Sequence, residues 1–120
     1  MTIQSYQDLR VWQEAITLAE LIYRVTRTFP KEEMFGLTSQ MRRAATSVAA
    51  NIAEGYGREN TGSYIQFLRI AQGSLKELET HTILSCRIGI LDIPTQDGIL
   101  SKTSIVGKML WSLIRSLDKA

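Results

Sequence analysis

Residues 99–117, ILSKTSIVGKMLWSLIRSL, set Ile99, Thr103, Val106, Leu110, Leu113 and Leu117 at strictly alternating steps of four and three. That spacing predicts a long helix with one seam facing a neighbour. Ile93-Pro94-Thr95 opens it, since proline suits a first helical turn. Working back along the chain, Tyr64, Leu68, Ala71, Leu75, Leu78 and Thr82 share one face of a third helix, capped by Thr61 and ending near Gly89. A second helix runs from about Pro30 to Glu54 on the stripe Leu37, Met41, Ala44 or Ala45, Val48 and Ile52. Gly36 marks an irregular first turn, and Gly55 is expected to close the helix as a left-handed cap. The first helix spans about Asp8 to Thr28, with Ser5 and Asp8 as a capping pair. Its stripe is Leu9, Trp12, Ile16, Ala19, Tyr23 and Thr26, widened by Ala15, Leu18, Ile22 and Val25. The links are short and no stretch alternates long enough to make a strand, so the expected fold is all-α, an antiparallel up-down-up-down four-helix bundle.

The composition agrees. The chain has 120 residues, 44% of them hydrophobic, which suits one domain, residues 1–120, with a real core. The single cysteine, Cys86, excludes an internal disulfide. No apolar run approaches the roughly 20 residues of a membrane span. The N-terminal residues lack a signal-peptide layout, so the expected compartment is the cytoplasm. The formal charge is +2, and the whole excess lies in residues 61–120.

Chemistry is sparse. Di-iron bundles need Glu-x-x-His pairs, yet Leu78 stands three residues before His81, the only histidine. Cys86 and His81 are too few for zinc. They also diverge around the helix, so they do not form a nucleophile–base pair. No phosphate-binding glycine loop follows a strand. Neither a cofactor, a metal nor a catalytic residue is expected.

Two sets of residues invite function. Arg42, Arg43 and Arg58, with Arg69 and Lys76 on the third helix, are candidates to contact phosphate. The competing reading places Arg43, Ser47, Asn51 and Glu54 along one edge in a hydrogen-bond network within the bundle. Lys102, Lys108, Arg115 and Lys119 make the fourth helix net positive. The second set is apolar surplus. Val11, Leu18, Leu21 and Val25 on the first helix, and Met109, Trp111 and Ile114 with Ile105 on the fourth, form a band expected to serve self-association. Gly73-Ser74, inside the third helix, fits close packing against a neighbour, or a hinge or ligand-facing notch.

Several segments are specific enough to carry a resemblance. They are Asp8-Leu9-Arg10-Val11-Trp12-Gln13, Phe29-Pro30-Lys31-Glu32-Glu33-Met34-Phe35-Gly36-Leu37 and Gln40-Met41-Arg42-Arg43-Ala44-Ala45. Asn51-Ile52-Ala53-Glu54-Gly55-Tyr56-Gly57-Arg58 follows, and then residues 67–79 with Gly73-Ser74-Leu75-Lys76-Glu77. Over about residues 8–90 the chain resembles the four-helix bundle proteins encoded within bacterial 23S rRNA intervening sequences. It is similar also to the accessory variability proteins of diversity-generating retroelements. The resemblance implies a ring-like homopentamer, no enzymatic activity, and association with RNA or DNA. A protein-interaction scaffold, recruiting a partner such as a polymerase, is the alternative it leaves open.

Overall fold

The structure, a computed structural model, describes residues 2–119. Four helices, α1 (Arg10–Thr26), α2 (Leu37–Tyr56), α3 (Thr61–Arg87) and α4 (Ile93–Asp118), pack into a rod of 46 × 23 × 23 Å. Among the described residues there are no strands. Side-chain pairs set the directions. Thr26 at the end of α1 meets Arg42 near the start of α2. Ser47 pairs with Ser74, and Met41 with Ser85, so α2 and α3 run antiparallel. Glu79 pairs with Thr103, so α3 and α4 do too. α4 closes the bundle against α1.

The expected stripes of α2 and α3 are the observed core. Leu37, Met41, Val48, Ile52, Leu68, Ala71, Leu75, Leu78 and Thr82 are all buried. On α4, Ile99, Thr103, Val106 and Leu110 are buried, while Leu113 and Leu117 lie at the core's margin.

α1 corrects the sequence reading. Its buried face is Val11, Ala15, Leu18, Ala19, Ile22 and Thr26, whereas Tyr23 is exposed. Val11 and Leu18 are therefore core residues, not part of an outer band, and Ile114 on α4 is buried likewise. α1 sits between α2 and α4 and must fill both seams, so a wide apolar arc is used up inside one chain. Leu21, Val25 and Met109 are half-buried against the core, and of the proposed band Trp111 and Ile105 are widely exposed.

Helix ends differ in detail. The Ser5–Asp8 pair is a complete capping box, but it caps a 3₁₀ turn (Tyr6–Asp8) that precedes α1. A second 3₁₀ turn (Lys31–Glu33) follows Pro30, and α2 begins only after Gly36. There the Glu33 carboxylate accepts the Leu37 N–H at 3.1 Å. Asn60, not Thr61, caps α3 by accepting from Ser63 N–H at 2.7 Å. α3 ends in a Schellman turn: Gly89 has φ +89°, Gly89 N–H donates to Cys86 and Ile90 N–H donates to Ser85. Gly55 is not a cap at all; α2 runs through it.

Candidate nucleic-acid interface

The α2–α3 seam is built from small side chains. Buried Ala44 and Val48 lie on the same side of α2 as Ser47 and Gly55. Gly55 completes this: a Cβ there would stand 2.9 Å from Phe67 Cβ and 3.1 Å from the Tyr64 carbonyl oxygen. Ser47 and Ser74 hydroxyls meet at 2.9 Å, and Asn51 Nδ2 donates to Ser47 O and Oγ at 2.8 and 2.9 Å. The expected network along this edge thus exists for Ser47 and Asn51, with α3 as its partner; no hydrogen bond ties Arg43 to it. At the end of the seam Tyr56 and Tyr64 stack edge to face with ring centres 6.2 Å apart. Burial, and then the neighbouring Tyr56, push the Tyr64 phenol above its ordinary value.

The five expected cationic residues separate into distinct roles. Arg42 ties α2 to α1. Its Nε donates to Thr26 Oγ1 at 2.9 Å and its guanidinium lies 4.6 Å over the Tyr23 ring. Its Nη2 also reaches Tyr23 O at 3.5 Å, so Arg42 is engaged within the bundle on the Nε side. Arg58 is exposed and steadied over the Phe67 ring at 4.6 Å. Arg43 and Arg69 are exposed and, among the described residues, form no ion pair. Lys76 reaches Glu79 Oε1 at 3.1 Å with its side chain 80% exposed. Arg43 stands on the edge of α2 that turns toward α3, while Lys76 lines the opposite flank of α3, toward α4. The residues do not form one patch.

Sequence reasoning offered a notch at Gly73 as one alternative but did not see that α4 forms its other wall. A groove of about 560 Å³ opens there, lined by Gly73, Lys76 and Glu79 from α3 and by Gly107, Lys108 and Trp111 from α4. Thr103 Oγ1 donates to Glu79 Oε2 at 2.6 Å, so both carboxylate oxygens are engaged at the floor. A Cβ added at Gly73 would meet nothing within 4 Å. Of the pair Gly73-Ser74, close packing therefore holds for Ser74, against Ser47 of α2, while Gly73 borders the notch. The readable signal was Gly107, a second glycine interrupting an otherwise regular heptad helix.

Elsewhere the chemistry is plain. His81 Nε2 faces Glu77 at 3.6 Å, an i,i+4 contact on α3. Among the described residues no three His, Cys, Asp or Glu side chains gather as metal ligands. No described helix is long and apolar enough to cross a membrane.

With this geometry in place, comparison with known proteins is informative. The sequence matches the family described as 23S rRNA-intervening sequence protein over residues 7–112. The chain belongs to this family. The match continues through the Trp111 turn of α4. Among solved structures, the fold is similar to that of a protein of unknown function from the S23 ribosomal protein family of Bacteroides thetaiotaomicron. The two share 24% identity with a TM-score of 0.82, over 88% of this chain and 95% of that one. Among curated proteins none matches.

Proposed function

We propose that this chain is a non-enzymatic, self-associating helical bundle that binds structured RNA or other nucleic acid through exposed arginine and lysine side chains. The observation that carries the reading is that Arg43, Arg58, Arg69 and Lys76 all keep their charges at the surface, with none buried in an ion pair. A cation spent on internal electrostatics would not remain so available. One chain carries a formal charge of only +2. A ring of five, as the resemblance implies, repeats these separate cations around an axis and so makes a modest field into an extended basic surface.

The test is binding of purified protein to structured RNA across a salt series. Phosphate neutralisation releases counterions, so affinity is expected to fall log-linearly with salt, with a slope that counts several contacts per oligomer. Arg58→Ala is expected to weaken binding and flatten the slope by about one contact per chain engaged. A mass measurement at micromolar concentration that finds only monomer overturns self-association.

A second reading, a protein-interaction scaffold, has one observation in its favour. Phe35 is 93% exposed beside exposed Met34 in the α1–α2 link. Ile88 and Ile93 are exposed at the α3–α4 link, on the same end of the antiparallel bundle. No RNA binding even at low salt would turn attention to that apolar end, and recovery of a specific partner lost on Phe35→Ser would establish it.

A further inference from the structure

We infer that the α3–α4 groove is a seat for one unpaired nucleotide, its base stacked on Trp111 and its phosphates held by Lys108 and Lys76. This deepens the nucleic-acid reading and rests on it. The first support is the indole. Trp111 is 54% exposed, although α4 has a buried face that could have taken it. Arg115, one turn later, reaches back to place its guanidinium 4.7 Å over the ring. The α4 residues that line the groove, such as Gly107 and Lys108, come before Trp111. One face of the ring is thus covered by Arg115, and Trp111 itself lines the groove.

The second support is charge placement. Lys108 has no carboxylate partner among the described residues, while Lys76, 80% exposed, is paired with Glu79, so Lys108 supplies the groove's net positive charge. The seam has a fixed register: Glu79 meets Thr103, and Leu75 lies 3.8 Å from the Cβ position of Gly107. Continued along the helices, that register sets Arg69 beside the Trp111–Arg115 turn. Basic side chains therefore follow the seam on both sides of the aromatic. A cationic track interrupted by an aromatic platform is the arrangement that binds single strands, because every base offers a flat face and every nucleotide a phosphate.

The third support is room. Gly73 and Gly107 open the groove without bringing the helices into tight contact, and about 560 Å³ lies within the range of small-ligand sites, about 300–1,000 Å³. A base inside a duplex cannot enter such a notch, so loops, bulges and single strands are the class selected.

The experiment titrates the full-length protein with a short oligouridylate and with an abasic ribose-phosphate strand of the same length. Binding is followed by anisotropy and by tryptophan fluorescence. The oligouridylate is expected to quench the part of the emission that Trp111→Phe removes, Trp12 being the other fluorophore, and to bind more tightly than the abasic strand. Trp111→Ala should lose about tenfold in affinity for the oligouridylate, Trp111→Phe should recover most of it, and the abasic strand should not sense either change. Lys108→Gln should weaken both strands. Circular dichroism and oligomer mass are recorded for each variant. Equal binding of both strands, unaffected by Trp111→Ala but steeply salt-dependent, overturns the nucleotide seat and leaves general nucleic-acid binding intact. No binding of either strand or of structured RNA overturns both. A drop in oligomer mass on Trp111→Ala assigns the indole to self-association and overturns the seat.

Discussion

α3 meets its two neighbours in opposite ways. Toward α2 it presents Ser74 and Phe67 to Ser47 and Gly55, and the backbones come so close that a methyl group has no place. Toward α4 it presents Gly73 and Lys76 across a groove, and a methyl group at Gly73 touches nothing. Both seams contain helical glycines, Gly55 in the last turn of α2 and Gly73 midway along α3, yet one glycine closes a contact and the other opens a gap. Glycine lowers helix stability wherever it stands inside a helix, by about 1 kcal/mol relative to alanine. At Gly55 packing returns that cost. At Gly73 nothing within the chain does, and this asymmetry directs attention to the α4 side as the place where something else fits.

The sharpest way to break the contrast is Gly55→Ala. Overpacking against Phe67 Cβ and the Tyr64 carbonyl is expected to cost about 1–3 kcal/mol, read as a lower urea midpoint at constant slope. Next, Ser74→Ala removes the hydroxyl bridge to Ser47 and should cost about 0.5–1.5 kcal/mol in the same assay. Gly73→Ala should go the other way, stabilising the bundle by about 0.5–1 kcal/mol, because the new methyl gains helix propensity without a clash. If Gly73→Ala destabilises as Gly55→Ala does, the two seams are alike and the contrast is lost.

The smallest effect lies at the entrance to α4. Hydrogen bonds from the Thr95 side chain and from its backbone N–H, the latter at 2.8 Å, hold the Asp92 carboxyl below its ordinary value of 3.8. A carboxyl lowered by folding adds stability above its unfolded value and loses it as pH falls through the folded one. Asp92→Asn should therefore flatten a small acid-side decline below pH 3.8 and change little at neutral pH, in thermal melts run as a pH series.

Much of the bundle was legible because its apolar residues obey one period. The heptad from Ile99 to Leu110 and the stripe from Leu68 to Thr82 read directly onto buried faces. α1 was harder. Its apolar arc is wider than one stripe, and Trp12 and Tyr23 carry both apolar bodies and polar tips, so they sit on the margin rather than at the centre. Only the positions of α2 and α4 decide which part of such an arc faces inward. The same limit applied to the arginines. Arg42 and Arg43 are adjacent in sequence, yet one lies against Tyr23 and Thr26 and the other points into solvent. Two residues a hundred degrees apart on a helix have different neighbours, and those neighbours come from elsewhere in the chain. The groove was least legible, since it depends on what two helices omit at the same level.

The order of the helices also sets how the molecule comes apart. α1 with α2, α2 with α3, and α3 with α4 are neighbours in sequence as well as in space, joined by residues 27–36, 57–60 and 88–92. α1 with α4 is the exception, a contact between the two ends of the fold. Loop closure for the three hairpins is cheap, and for the last seam it spans the whole chain. Docking α1 onto α4 is therefore the most non-local of the four helix pairings. The same seam is the first to part under load, so amide exchange should find its least protected helices at the outer edges of the sequence, with α3 opening last.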